Sequence, residues 1–441
     1  MTQTCDVLVI GAGPAGIAAA TTAARHGRGV LVLDDNPAAG GQIWRSGVQE
    51  QSQRRDRRRS ATLAAFRASG AKLLPGRRIV DAPEPGQLVA AVETGSAASL
   101  ERYSFQHLVL ATGARERFLP FPGWTFPGVF GAGGLQALVR GGFSVAGKRV
   151  VVAGTGPLLL AVAAHLSEDG AHVVTVAEQA PAPRMLRFGL SLWTHPGKLL
   201  QGAGYRATLA RTPYRMGCWP LAALGQSSLA AVRLTDGRRV WDEPCGLLAC
   251  GFHLVPNTEV AALLGCRFDG DFVAVDDSQR TSIPNVYAAG EPTQIAGLDA
   301  ALLEGEIAGL TIAGKPHEAA SLFRRRDRER HFGQRLSQAF ALREELRTLA
   351  QPDTIVCRCE DVRFSQLNDH AGWTDAKLQT RCGMGPCQGR ICGPAVQALF
   401  GWRPASVRPP LCPIPLGLLC SQPEEQRSPL PQTSKTLQET L

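Results

Sequence analysis

The feature that most constrains this chain lies at its start. Cys5-Asp-Val-Leu-Val-Ile10 is an apolar strand, and it runs directly into Gly11-Ala-Gly13-Pro14-Ala15-Gly16. Small residues continue to Arg25, and Gly29-Val-Leu-Val-Leu-Asp34-Asp35 adds a second strand that ends in acids. Strand, glycine loop, helix, strand and terminal acid make a βαβ unit shaped to hold a dinucleotide. Gly11 permits the tight turn, Gly13 lets the backbone approach a pyrophosphate, and Gly16 lets the helix lie close to the strand. Pro14 and Ala15 open the helix, where free N–H groups and about half a positive charge face a phosphate. Asp34, in preference to Asp35, is placed to hold a ribose hydroxyl.

The chain has 441 residues, enough for two or three domains and a large core. The longest apolar run, Val150 to Leu166, is broken by Gly154, Thr155, Gly156 and Pro157, so no transmembrane helix is expected. The first strand starts so near Met1 that a signal peptide is not expected either. Twelve cysteines without secretion suggest a metal or redox site in a reducing compartment, the cytoplasm or the inner face of its membrane. The net charge of +9 comes largely from arginine. Two dense runs, Arg54 to Arg59 and Arg324 to Arg330, contain acids but no interleaved aromatics. They read as solvated helical faces, and nucleic acid binding is not expected.

Further along, Gly40-Gly41-Gln42-Ile-Trp44-Arg45 is a turn that can sit over a cofactor. A helix is expected from Gln51 to Ser69, and Lys72 to Leu74 with Val89 to Glu93 suggest a small antiparallel set. Phe105 to Leu110 is a strand ending in Ala111-Thr112-Gly113-Ala114-Arg115, a corner of small residues. A second βαβ unit follows: Lys148 to Ala153, the Gly154-Thr-Gly156-Pro turn, a helix from Leu158 to Leu166, and His172 to Glu178. Its third glycine is replaced by Leu159, which is expected to push the helix away and crowd a pyrophosphate. Glu178 falls one residue later than Asp34 does. The fold survives in this unit while nucleotide binding is weakened.

Val240 to Ala249 reads as a strand. Thr281 to Glu291 contains another, ending in Gly290-Glu291, which can bring a carboxylate and backbone N–H groups to a flavin. Gly297 to Gly305 opens a helix whose N-terminus can face a flavin's pyrimidine edge. From Glu318 to Leu349 the chain reads as a connector helix or helical pair.

The C-terminal part holds Cys357-Arg-Cys359-Glu360 and Cys382-Gly-Met-Gly-Pro-Cys387-Gln-Gly-Arg-Ile-Cys392. Thiolates this close repel one another unless a cation or cluster neutralises them. Two pairs separated by a glycine-rich loop can surround a [2Fe–2S] cluster, with structural zinc as the alternative. Four ligands suffice, and Cys357, Cys359, Cys387 and Cys392 are the chosen set, Cys382 being the spare. No Cys-x-x-Cys occurs, which argues against a dithiol reductase. His195 and His253 are candidate bases by residue type only, so no catalytic residue is assigned.

The two-dinucleotide architecture resembles the glutathione-reductase-like flavoproteins. Gly40 to Arg45, Pro256-Asn-Thr-Glu259, Cys357 to Glu360 and Thr380 to Cys392 resemble, more narrowly, the A (alpha) subunits of heteromeric amine and imino-acid dehydrogenases. That group includes the opine oxidases, D-hydroxyproline dehydrogenase and hydrogen cyanide synthase. The C-terminal part is similar to bacterioferritin-associated-ferredoxin-like [2Fe–2S] domains, and the resemblance extends to about Pro415. It implies an α/β fold with an FAD domain at 1–115 and 281–316, a second, NAD(P)-like domain at 116–280, a helical connector at 317–350, and a [2Fe–2S] domain with tail at 351–441. It also implies that Gly11, Gly13, Gly16, Asp34, Gly41, Gln42, Thr112, Gly113, Gly290 and Glu291 contact FAD, with Glu291 in place of the usual aspartate. Partners implied are a flavin-dependent amino-acid-oxidase-like catalytic subunit, FMN at the interface and a small ferredoxin-like subunit. The expected role is electron transfer to a non-oxygen acceptor such as a membrane quinone. A self-contained NAD(P)H-dependent reductase and an iron–sulfur module with a vestigial flavin fold are the competing readings.

Overall fold

The computed structural model describes residues 2–45, 57–94, 97–403 and 407–420. Thr2–Ile10 lies inside a seven-stranded sheet. It pairs in parallel with Val30–Asp34 on one side and Ala97–Leu110 on the other. The chain leaves this sheet after Leu110 and returns at Val286–Ala288, which pairs in parallel with Leu108 to Leu110. Helices Pro14–Arg25 and Leu298–Ile312 cover one face. Their backbones come so close that a Cβ on Gly305 would lie 2.1 Å from the Ala15 carbonyl oxygen. Alanines and glycines therefore replace larger side chains along this seam, and Ile17, Ala19, Ala20 and Ala23 pack on Val7, Val9 and Val109.

Three expectations need correction. Lys72 to Leu74 does not join an antiparallel set: Lys72–Pro75 pairs in parallel with Val30–Asp34. It follows a crossover helix, Arg57–Ala68, and such a connection returns the chain parallel to the strand it left. The expected residues 51–56 of that helix lie outside the described ones. Val240 to Ala249 is two strands, not one. Val240–Pro244 alternates exposed and half-buried residues in a three-stranded antiparallel sheet, whereas Leu247–Phe252 is buried throughout. The latter is inner to a second, parallel sheet with Arg149–Thr155, His172–Glu178, Tyr214–Met216 and Val129–Gly131. The change from alternation to continuous burial marks the passage from one sheet to the other. Nor is the second arginine run only a solvated face. Arg326 is 1% exposed and donates to the Asp277 carbonyl at 2.9 Å and its carboxylate at 2.8 Å.

The connector is one helix, Pro316–Ala339, followed by a short 3-10 turn at Glu344–Thr348. Beyond it a hairpin (Ile355–Cys357 and Val362–Arg363) and helices Trp373–Thr380 and Cys392–Phe400 enclose a small core of Val356, Leu367, Trp373, Ala376 and Val396. This unit is tied to the rest by Trp124 Nε1 donating to the Ile355 carbonyl at 2.6 Å and Arg115 Nε to the Arg390 carbonyl at 3.1 Å.

Candidate functional site

The N-terminal loop has the shape its sequence requires. Gly11 has φ of +101°, and a Cβ there would lie 2.3 Å from the Ala111 carbonyl oxygen. A Cβ on Gly16 would lie 1.8 Å from the Gly11 carbonyl oxygen. Around Gly13 the nearest atom is the Gly41 Cα at 3.9 Å, so the loop carries no side chain where a phosphate would approach. Helix Pro14–Arg25 starts at Gly13 with no side-chain cap and no acid in its first turn. Its leading N–H groups and positive end are thus left for an anion. Gly41 lies over the loop, since its own Cβ would meet the Gly13 Cα at 2.9 Å, and Gly40 N donates to the Ala12 carbonyl at 2.8 Å. Gln42 is exposed beside this turn and accepts from Arg45 at 2.8 Å. Asp34 is 6% exposed and accepts from Ala12 N at 2.5 Å and Asn36 N at 2.7 Å. Asp35 is exposed, paired with the Asn36 amide at 2.8 Å. These residues form a cradle suited to a pyrophosphate and ribose.

Two further segments close on the cradle. Thr112 Oγ1 donates to the Asn257 carbonyl, Asn257 Nδ2 donates to the Thr112 carbonyl at 2.9 Å, and Asn257 N donates to the Gly113 carbonyl at 2.9 Å. Arg115 joins the corner, bonded to Asn257 Oδ1 at 2.6 Å and to Glu259 at 2.9 Å. Gly290 has φ of +81° and sits against Ala15. Beside it, burial pushes the Glu291 carboxyl up to about 7, with the Ala114 N–H opposing the shift. Sequence reading alone misses what holds Gly290. Glu304 is 1% exposed and accepts from Gly290 N at 2.7 Å, Thr293 Oγ1 at 2.9 Å and Arg330 Nε at 2.7 Å. The available signal was Glu304 between Leu303 and Gly305, an acid on the buried side of Leu298–Ile312.

In the second βαβ unit the acid that ends the second strand is bonded within the chain itself. Glu178 and Gln179 are both 0% exposed. Glu178 accepts from Thr155 Oγ1, Gly156 N and Ala180 N, each at 2.8 Å. Gln179 Nε2 donates to Thr155 Oγ1 at 2.8 Å and to the carbonyls of Phe340 at 3.3 Å and Ala341 at 3.2 Å. Arg343 N donates back to Gln179 Oε1 at 3.2 Å. Residues 340–343 thus lie against Thr155 and Gln179, the neighbours of the acid a nucleotide ribose needs. The reason expected for weak binding needs correction: Leu159 crowds no loop but is 1% exposed in a core with Val152, Val162 and Leu247. The turn accommodates it by placing Gly156 at φ +104°, where Gly13 of the first loop has φ −76°.

Burial raises the Glu178 carboxyl from 4.5 to about 7. Its folded pKa exceeds its unfolded one, so its contribution to stability is complete below 4.5 and lost as pH rises through about 7. Thermal unfolding at pH 5 and pH 8 is expected to show Glu178→Gln gaining on the wild type at the higher pH, by about 2 kcal/mol.

His195 and His253 are structural. His195 is 4% exposed, 3.8 Å from Glu329 and against the Phe332 ring, while His253 Nε2 contacts the Phe340 carbonyl at 3.0 Å.

The five cysteines from Cys357 to Cys392 lie in contact. The sulfurs of Cys357, Cys382 and Cys392 lie within 4.8 Å of one another, all buried. Cys392 also contacts Cys387, and Cys387 contacts Cys359, which is exposed. Cys382, set aside from sequence, thus stands inside the buried trio, and the chosen Cys359 is outermost. Hydrogen bonds from Cys382 and Cys392 push the Cys357 thiol down, while contact with Cys357 pushes Cys382 and Cys392 up. Gly385 is needed here, since a Cβ would lie 2.3 Å from the Cys359 Cβ. This donor set fits an iron–sulfur cluster.

Two Rossmann-type sheets in series with an uncapped glycine loop define a flavin-type oxidoreductase, and residues 5–305 match the pyridine nucleotide-disulphide oxidoreductase family, whose fold implies FAD. Within that class the chain belongs to the family of opine oxidase A subunits and hydrogen cyanide synthase HcnB subunits. It is 31% identical to the opine oxidase A subunit of Agrobacterium tumefaciens, over 96% of this chain and 93% of the relative. It is 31% identical to the HcnB subunit of hydrogen cyanide synthase from Pseudomonas protegens, over 87% and 89%. L-proline dehydrogenase from P. horikoshii shares the fold, with a TM-score of 0.67 at 19% identity over 95% of this chain and 80% of that one. Among the described residues no helix is long and apolar enough to cross a membrane.

Proposed function

We propose that the chain is the electron-transfer component of a heteromeric flavin/iron–sulfur dehydrogenase. Its partner, an amino-acid-oxidase-like flavoprotein, removes two electrons from a C–N bond of a small amino acid, imino acid or opine. FMN at the interface between them and a small ferredoxin-like protein complete the assembly. The acceptor is a quinone or another non-oxygen carrier, reached from the cytoplasm or the inner face of its membrane. The single observation that carries this reading is the buried trio Cys357, Cys382 and Cys392, with Cys387 and Cys359 in contact beyond it, in a unit tied to the flavin-domain corner by Arg115 and Arg390.

Gly11, Gly13, Pro14, Ala15, Gly16, Asp34, Asp35, Gly41, Gln42, Thr112, Gly113, Gly290 and Glu291 hold FAD. Cys357, Cys392, Cys387 and Cys359 hold the cluster. Cys382 shares its buried core with Cys357 and Cys392 and is left out because four thiolates complete the site. When bound, flavin supplies two-electron and the cluster one-electron transfer. The chain's own residues fix their positions: the helix N-terminus at Gly13 neutralises phosphate, and the Glu304–Arg330 pair anchors Gly290. The test is dye reduction by substrate, expected only when the partner is present. Full activity from the isolated chain would sink the partner requirement.

The NAD(P)H-dependent alternative needs the second loop. With Glu178 fully buried and Gln179 beside it bound by residues 340–343, NADH or NADPH is expected to leave the flavin absorption unchanged in a stopped-flow mixing experiment. Rapid bleaching by either nucleotide would restore that alternative.

A further inference from the structure

From Gln179 to Thr235, 57 residues, the chain has no acid and seven basic residues. Within this stretch helices Ala182–Ser191 and Pro196–Thr208 follow one another, and neither has a buried residue. The first is apolar on two faces. Met185 and Phe188 pack inward on Phe340 and Leu336. On the opposite face, Leu186, Leu190 and Trp193 recur at successive turns and are 66%, 78% and 79% exposed. The second helix adds Leu200, 73% exposed. One exposed leucine needs no explanation, but an outward stripe with an aromatic at its end marks an interaction surface.

Location and charge say what covers it. Lys198 Nζ lies 2.5 Å from Asp299 Oδ2, and Asp299 is in the first turn of Leu298–Ile312. The sequence sets that helix start to face a flavin's pyrimidine edge, and with the relay reading the stripe then borders the point where electrons enter. Asp299 is engaged by Lys198 and Arg58, so its charge is balanced at this surface. Arg184 and Arg187 stand exposed beside the leucines. We propose that these two helices are the docking surface for the electron-donating partner protein, which presents an apolar face rimmed by carboxylates. This rests on the relay reading above. A bilayer seated here would cover the flavin edge and shut out a protein donor, so a protein occupant fits better.

The test places a photoreactive residue at the stripe, Trp193→p-benzoylphenylalanine, in the full-length chain expressed in its own cells, with adducts identified by mass spectrometry. The expected adduct is a second, flavin-binding polypeptide, joined through a peptide rich in leucine and acids. Adducts with another copy of this chain, with lipid, or with nothing would overturn the proposal. As a second measurement, Leu190→Glu with Trp193→Glu is expected to keep the flavin and cluster spectra while eluting as the isolated chain. Elution with the complex would count against the surface. The two proposals fail separately: partner-independent dye reduction removes the relay, whereas partner-dependent reduction without an adduct at residue 193 removes only this surface.

Discussion

Cys357→Ser is expected to yield a protein that keeps its flavin absorption and loses its iron. Cys357, like Cys392, is in both groupings of sulfurs. It belongs to the buried trio with Cys382 and Cys392, and it is one strand residue away from the small core formed by Val356 and Val396. Serine is nearly isosteric, so the core persists, but an alkoxide does not form at neutral pH and the soft iron site loses a thiolate. Cys359, the outermost sulfur, and Cys382, inside the trio, then separate the possible ligand sets. Cys359→Ser is expected to remove the cluster, and Cys382→Ser to leave it with a shifted spectrum. The reverse result would move Cys382 into the ligand set. Iron, labile sulfide and visible absorption of the three purified variants check this together.

Gly16→Val is expected to abolish flavin binding. A Cβ at this position would overlap the Gly11 carbonyl oxygen at 1.8 Å and lie 3.2 Å from Val9 Cγ1. Neither neighbour can yield, because Gly11 is itself pinned against Ala111 and Val9 is fully buried. The helix must move off the strand, carrying its N-terminal N–H groups away from the phosphate position. Overpacking of this kind costs about 3 kcal/mol or more. Flavin content of the purified variant measures the first effect and thermal unfolding the second. Gly13→Ala, which meets only the Gly41 Cα at 3.9 Å, is the informative contrast: the apo-protein fold is expected to survive while flavin is lost.

What was legible in the sequence is what depends on local rules. The first βαβ unit could be read because each glycine answers a steric demand met within a few residues of it. The cysteine cluster could be read because thiolates rarely crowd without a cation. What stayed hidden depends on chain segments far apart. The contacts on Gln179, next to Glu178, come from Phe340 to Arg343, and no local pattern announces them. Arg330 looks like one more charge in a basic run until Glu304, 26 residues away, is seen to need it. Lys72–Pro75 is too short for its four residues to declare a partner, and the preceding helix decides the pairing. Leu159 could be recognised as replacing a glycine, but whether it pointed into the core or the loop depended on the turn at Gly156.

The most direct test of the relay is cofactor analysis of the full-length chain purified without oxygen. It combines FAD extraction, iron, zinc and labile-sulfide determination with electron paramagnetic resonance after reduction. Stoichiometric FAD is expected, with iron and sulfide in equal amounts and a half-integer-spin signal of a reduced [2Fe–2S] cluster that Cys357→Ser removes. Zinc in place of iron, or a cluster in a chain that takes up no FAD, would contradict the relay.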